Sequence, residues 1–256
     1  MALDFTVMTY NVHSCVGKDG EPMPRRIADV IASFMPDIVA LQELDVKLRR
    51  SGLADQAELI AKHVEMQCHF SPCRQWEEGY YGNAILSRHP MRLVKAQALP
   101  GPAGRPDIEK RGALWVEINL EGCLLQVINT HLGLNRRERL KQAEALLGPD
   151  WIGHPDCNAP VIFCADLNAL PRSRVYNLFK TRLEDGQCYL PAQRPGGTWP
   201  SRCPLLRIDH IFLSADIKVR AATVPRTTEA CRASDHLPLV VRGRIDNSSH
   251  PSEKSG

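Results

Sequence analysis

Ala233-Ser234-Asp235-His236-Leu237-Pro238 leads directly into the apolar run Leu239-Val240-Val241. A hard oxygen ligand and a titrating base stand there within one peptide unit, at the mouth of an expected strand. An Asp-His pair alone carries little weight, because most such pairs sit on solvated loops. Its weight comes from earlier apolar runs that also finish in residues suited to metal and phosphate chemistry.

The first of these runs alternates Phe5, Val7 and Thr9 with Asp4, Thr6 and Met8, the period of a strand, and ends at Tyr10-Asn11. After a Gly- and Pro-bearing loop, Pro24 opens a helix whose Ile27, Val30, Ile31 and Phe34 share one face. Pro36 stops it, and the run Asp37 to Leu41 ends in Gln42-Glu43. Asp55 is the expected cap of a second helix reaching about Val64. A strand is expected from Val64 to Phe70, then an aromatic-rich loop from Trp76 to Asn83 feeding a strand over Ala84 to Ser87.

Two glycines and three prolines mark a flexible connection over 100–106. Strands follow at 111–118 and 124–128, the latter ending in Asn129-Thr130-His131. Arg136 to Leu147 reads as a helix. Val161 to Cys164 is a strand ending in Ala165-Asp166-Leu167-Asn168. Further strands are expected at 207–212, carrying Asp209, at 217–224, and after His236. The predicted architecture is α/β: one domain over 1–245, two packed mixed sheets with helices on their outer faces. Residues 246–256 are polar and are expected to be disordered.

The chain holds 256 residues, 43% of them apolar, enough for a sizeable core. A net charge of +3 is compatible with anionic substrates but far below that of a dedicated nucleic-acid coat. Nine scattered cysteines, an odd number, read as reduced thiols and not as a disulfide scaffold. The N-terminal stretch reads as a strand and not a signal peptide, and no apolar stretch is long enough to span a membrane. A cytoplasmic location is expected, with no obligate protein partner evident.

Five strand ends therefore present Asn11, Glu43, His131, Asp166 with Asn168, and Asp235 with His236, while Asp209 lies inside a strand. Asn, Asp and Glu oxygens suit Mg²⁺ or Mn²⁺, which keep waters and bind phosphate. Histidines add proton donors and acceptors near neutral pH. His210 alternates with Asp209 and is expected to face away from the site.

In this order, Thr9-Tyr10-Asn11, Leu41-Gln42-Glu43, Asn129-Thr130-His131-Leu132, Ala165-Asp166-Leu167-Asn168, Arg207-Ile208-Asp209-His210-Ile211 and Ser234-Asp235-His236-Leu237-Pro238 resemble the endonuclease/exonuclease/phosphatase superfamily. Gly82 to Ser87 and Thr198-Trp199-Pro200-Ser201 are similar to it as well. Ala165 departs from the Gly that many members carry there.

The resemblance implies a deoxyribonuclease-I-like, four-layer αββα sandwich and a Mg²⁺- or Mn²⁺-dependent phosphoesterase. It implies that Glu43, Asn11 and Asp235 hold the metal. Asp209 would orient His236 as the base toward the attacking water, with Asp166 sharing or taking that role. His131, protonated, and Asn168 would bind the phosphoryl oxygens. Asn83, Arg111, Arg49 and Arg50 are further candidates for substrate phosphate. A phosphate-ester substrate follows, nucleic acid among the candidates, with phosphodiester cleavage expected first. The alternatives are a phosphomonoesterase, a lipid-headgroup phosphodiesterase, and an inactive anion-binding module on the same fold.

Overall fold

The computed structural model describes residues 2–76, 79–101, 109–158, 160–189 and 194–246. In chain order its elements are β1 (Ala2–Asn11), α1 (Pro24–Phe34), β2 (Ile38–Val46), α2 (Gln56–His63), β3 (Gln67–Trp76), β4 (Gly79–Ser87) and β5 (Met91–Ala98). Then come β6 (Gly112–Leu120), β7 (Cys123–His131), α3 (Arg136–Leu147), β8 (Val161–Asp166), α4 (Arg174–Phe179), β9 (Glu184–Asp185), β10 (Asp209–Leu213), β11 (Ile217–Thr223), α5 (Thr228–Ala233) and β12 (Leu239–Asp246).

The strands form two six-stranded sheets, ordered β11-β12-β1-β2-β4-β3 and β5-β6-β7-β8-β10-β9. Each sheet has one parallel pair at its centre, β1 with β2 and β7 with β8, and antiparallel neighbours elsewhere.

Strand alternation sorts the apolar residues into three packed layers. Phe5 and Val7 of β1, Ile38 and Ala40 of β2, Val127 of β7 and Ile162 of β8 fill the space between the sheets. The alternate residues, Met8, Tyr10, Val39 and Leu41, turn outward onto α1, α2 and α5. On the other side Trp115, Phe163 and Phe212 meet α3 and α4 through Ala143, Leu146 and Phe179. Burying Ile27, Val30 and Ile31 on α1 stabilises the fold by roughly 1.5–3 kcal/mol per side chain. Three apolar interfaces between four layers make the αββα sandwich.

That inner face changes character at one end. Following the period of two, Val7 gives way to Thr9 and Asn11, Ala40 to Gln42, Val127 to Asn129 and His131, Cys164 to Asp166, and Ile211 to Asp209. The sandwich core thus opens into a polar mouth, and the carboxyl ends of both parallel pairs meet there. Across it, Gln42 Nε2 donates to Asn129 Oδ1 at 2.7 Å, and Asn129 Nδ2 donates to Leu41 O and Ala84 O at 2.9 Å each. These buried bonds tie one sheet to the other immediately behind Glu43 and His131.

Several expectations change. The aromatic-rich stretch from Trp76 is no loop: β3 runs through to Trp76 and β4 begins at Gly79. β5 was not expected, because it is an edge strand whose side chains mostly face solvent, so it shows no apolar alternation. α4 and α5 have six residues each, too short for a helical period to register. Most of the expected 100–106 connection, and the expected tail beyond Asp246, lie outside the described residues. No described helix is long and apolar enough to cross a membrane.

Candidate active site

Glu43 reaches the mouth through a bulge. The β2–β4 register jumps from Leu41 opposite Ala84 to Leu44 opposite Gly82, so two residues of β2 face one of β4. Glu43 takes φ +63° there, and a carboxylate that strict alternation would turn toward the helices is re-aimed. Asn11 Nδ2 donates to Glu43 Oε1 at 2.8 Å and to Asp166 Oδ2 at 2.9 Å, bridging the two carboxylates across the sheets. As placed, Asn11 offers them its NH₂, while its oxygen accepts from His13 N at 3.0 Å. To serve as an oxygen ligand its amide would have to turn over.

Burial by itself would raise the Glu43 carboxyl. His13 above all, with Asn11 and His236, outweighs this and holds it well below the usual carboxylate range. His13 was not among the expected residues. It sits half-exposed, with Nδ1 3.6 Å from Glu43 Oε2 and 3.7 Å from Asp235 Oδ1. His13, Ser14 and Cys15 all have positive φ, +48° to +58°, a strained left-handed turn that swings the imidazole over the mouth. Only its place two residues past a strand end hinted at this role.

His131 is buried, and Arg111 Nη1 lies 2.8 Å from its Nδ1. A guanidinium can only donate, so Nδ1 accepts and the imidazole proton sits on Nε2. That proton points to Asp166 Oδ2, 3.4 Å away, because Asn168 Nδ2, 2.9 Å from Nε2, is itself a donor and gives a hydrogen to Leu132 O at 2.9 Å. Burial, reinforced by the Arg111 charge, pushes the His131 pKa well down, so the expected imidazolium is replaced by a neutral ring. Arg111, expected as an open phosphate clamp, instead props His131 and pairs with Glu109 at 2.8 Å.

Asp166-Leu167-Asn168 forms an Asx turn, Asn168 N donating to Asp166 Oδ1 at 2.9 Å, and Asn168 takes φ +47°. Opposite, His236 Nδ1 lies 2.9 Å from Asp209 Oδ2, and its Nε2 is 3.9 Å from Asp166 Oδ2. Burial would lower the His236 pKa, but the Asp209 carboxylate overrides it and holds it up at about 10. Burial and the same Asp209 charge lift Asp166 to about 7.

Asp235 is clasped from the side: Trp199 Nε1 donates to its Oδ2 at 3.2 Å, and Ser201 Oγ donates to Ser234 O at 2.8 Å. Ser234 Oγ donates to Asn11 O at 2.8 Å, which joins the last strand's entry to the first strand's exit.

The structure therefore gathers Asn11, Glu43, His131, Asp166, Asn168, Asp209, Asp235 and His236 at one mouth. It does not gather the remaining candidates there as open phosphate contacts. Asn83 is buried with its amide on Gly112 O at 3.3 Å. Arg50 is committed to Asp45, Nε to Oδ2 at 2.8 Å and Nη2 to Oδ1 at 2.6 Å. Arg49 lies exposed in the short turn Arg49–Ser51.

His210 faces away from the mouth, as alternation predicts. It lies in a second buried cluster, its Nδ1 3.5 Å from Asp185 Oδ2, the oxygen that also receives Tyr176 Oη at 2.9 Å and Arg207 Nη2 at 2.5 Å. Burial alone would raise Asp185, but His210, Arg207 and Tyr176 depress it below the usual range. A carboxyl depressed in the folded state stabilises it above the unfolded pKa of about 3.9, and that contribution fades as pH falls below it. Asp185→Asn is therefore expected to cost about 3 kcal/mol at pH 7, with the gap to wild type narrowing below about pH 4. Urea titrations across pH would show a constant gap if the carboxylate charge were irrelevant.

Residues 8–236 match the model of the Endonuclease/Exonuclease/phosphatase family. The chain belongs to that family. It is 27% identical over 250 residues to the uncharacterized protein YbhP of Escherichia coli (strain K12), covering 92% of this chain and 94% of that one. An endonuclease/exonuclease/phosphatase from Beutenbergia cavernae superposes with a TM-score of 0.77 at 24% identity, over 95% of this chain and 72% of that chain. A Bacteroides thetaiotaomicron mannosyl-6-phosphatase superposes with a TM-score of 0.74 at 18% identity, over 93% and 99%. The two packed mixed sheets are thus the deoxyribonuclease-I-like fold, and the family is one of phosphoester hydrolases.

Proposed function

We propose that the chain is a divalent-metal-dependent phosphodiesterase, working as one catalytic domain over 1–245. The observation that carries this reading is the convergence of Glu43, His131, Asp166, Asp209 and His236 at one mouth of the sandwich. The residues fit a metal ion. Glu43, His131 and Asp166 offer ligand atoms within 4.8 Å of one another, and Glu43 is held ionised. His131, however, has no lone pair to spare, because Nδ1 accepts from Arg111 and Nε2 carries the proton. The ion therefore falls to Glu43, with Asp235 on the far side of His13, and such carboxylate oxygens suit Mg²⁺ or Mn²⁺. Such an ion, when bound, neutralises the phosphate and stabilises the leaving oxygen.

The protein's own groups divide the remaining work. His131 Nε2–H and the Asn168 amide donate to phosphoryl oxygens. Asp166, whose affinity for a proton is raised by burial, takes the proton of the attacking water. His236 carries its proton because Asp209 holds it, so its Nε2–H stabilises developing negative charge. Of the two bases that the family resemblance leaves open, His236 and Asp166, this reading takes Asp166. A cytoplasmic location is part of the proposal and is supported by nine free cysteines.

Bis(4-nitrophenyl) phosphate is expected to turn over faster than 4-nitrophenyl phosphate with Mg²⁺ or Mn²⁺, and EDTA is expected to abolish both rates. Turnover that survives EDTA would remove the metal from this reading. No turnover of either ester, or of plasmid DNA, would end the enzyme reading. Faster monoester turnover would favour a phosphatase, the activity named for the similar Bacteroides structure.

A further inference from the structure

Beside the catalytic mouth, a cavity of about 340 Å³ is lined by Glu43, His13, Glu109, Arg50, Trp76 and Tyr81, among others. That volume falls within the range of about 300–1,000 Å³ usual for small-ligand pockets. Its lining joins the Glu43 carboxylate to a surface for flat groups.

Trp76 ends β3 with 40% of its surface exposed, although a large indole ring is normally covered. Two guanidinium planes already use it for stacking: Arg74 Cζ lies 4.3 Å and Arg50 Cζ 4.9 Å from its ring centroid. Arg50 also lies 5.5 Å from the Tyr81 ring centroid. Arg74 and Trp76 are two residues apart in β3, on one face, and Arg74 is only partly buried. Its side chain can leave the indole without disturbing the core.

Arg50 is different. Both its Nε and its Nη2 are fixed on Asp45, a fully buried carboxylate. The Asp45 backbone N–H is in turn held by Gln56 Oε1 at 2.8 Å. Asp45 follows Glu43 by two residues on β2, so the guanidinium plane is set rigidly relative to the catalytic carboxylate. A stacking partner would meet a surface already ordered, which avoids the entropic cost of immobilising a long side chain.

The charges of the cavity are largely spent. Arg50 is neutralised by Asp45, and Arg111 by Glu109. The cations left are Arg74, stacked on the Trp76 ring, and His13, already beside Glu43 and Asp235. A neutral planar ring finds a π-face, flat guanidinium groups and, in Glu109 and Ser14, acceptors for ring-edge N–H groups.

We propose that this cavity seats a heteroaromatic base of the substrate, stacked on Trp76 in place of Arg74 and beside Arg50, while its phosphate lies at Glu43 and His131. The substrate class is then a nucleotide diester and not a sugar phosphate or lipid headgroup. This rests on the phosphoesterase reading above for the position of the phosphate.

Titration calorimetry with adenosine 5′-monophosphate and ribose 5-phosphate in Mg²⁺ tests it, on wild type, Trp76→Ala and Trp76→Phe, with bis(4-nitrophenyl) phosphate turnover measured in parallel. Wild type is expected to prefer the nucleotide by about tenfold or more, a stacking contribution typical of one base on one aromatic ring. Trp76→Ala should reduce that preference to within about twofold, and Trp76→Phe should keep most of it. Melting curves will show that the exposed ring is not needed for folding. No preference in wild type, equal preference in wild type and Trp76→Ala, or no binding of either ligand overturns the base site. Any of these with turnover intact leaves the hydrolase standing. The preference without turnover leaves the base site standing and removes the hydrolase.

Discussion

Glu43→Gln is expected to lower the kcat/KM for bis(4-nitrophenyl) phosphate by about 10²-fold or more and to raise the Mg²⁺ or Mn²⁺ concentration needed for half-maximal rate. The substitution keeps the side chain's length and volume, so the bulge at φ +63° and the contact with Asn11 can survive. What is lost is the formal charge. Glu43 is a carboxylate that stays ionised despite burial, because His13 and the neighbouring groups together outweigh the desolvation. Such a group is poised to bind a cation, and an amide in its place offers a far weaker ligand.

Glu43→Asp separates position from charge: it keeps the carboxylate but withdraws it by one methylene. An intermediate loss is expected, since about 1 Å of misplacement in a preorganised site can cost about 10²-fold. Near-native turnover by Glu43→Gln, with an unchanged metal requirement, would remove Glu43 from the metal role. Calorimetric titration of Mn²⁺ onto both variants reads the same question without turnover.

The candidate site was more legible in the sequence than the course of the strands, for a physical reason. Strands buried on both faces must be apolar along their length, so a polar residue at such a strand's end stands out. Asn11, His131, Asp166 and Asp209 continue the inner-face period of Val7, Val127, Cys164 and Ile211, and counting by two reaches them. Glu43 was found by its place after an apolar run, but the bulge that aims it was invisible, because a register shift depends on the partner strand.

What escaped depends on contacts distant in sequence. His13 takes its place through three successive left-handed residues that are not glycine. The clasp of Trp199 on Asp235 spans a sequence separation of 36, and the prop of Arg111 on His131 one of 20. Arg111 and Arg50 were read as free cations because sequence gives charge without partners. In the fold each is paired to a nearby carboxylate, Glu109 and Asp45. β5, exposed on an edge, lacks the alternation that burial imposes.

Asp209→Asn and His236→Ala are both expected to cost about 10²-fold or more in turnover, and the double variant little more than the worse single one. Such non-additivity follows because Asp209 acts through His236: its Oδ2 is 2.9 Å from Nδ1, and it is fully buried. The pH profile then distinguishes the two possible roles of the imidazole. If His236 works as a cation, the wild-type rate holds through neutral pH and falls only as pH approaches about 10. Removing the Asp209 charge lowers the imidazole pKa, so Asp209→Asn should lose rate from a lower pH upward and keep relatively more at acid pH. If His236 were instead the base, the wild-type rate would climb toward about pH 10, and Asp209→Asn would shift that climb to lower pH. Asp166, lifted to about 7, sets the acid limb when it is the base, and Asp166→Asn should remove that limb along with most of the rate. A wild-type profile that rises through pH 8 and 9 would return the base to His236. A plateau from about 7 to 9 assigns the proton's destination to Asp166.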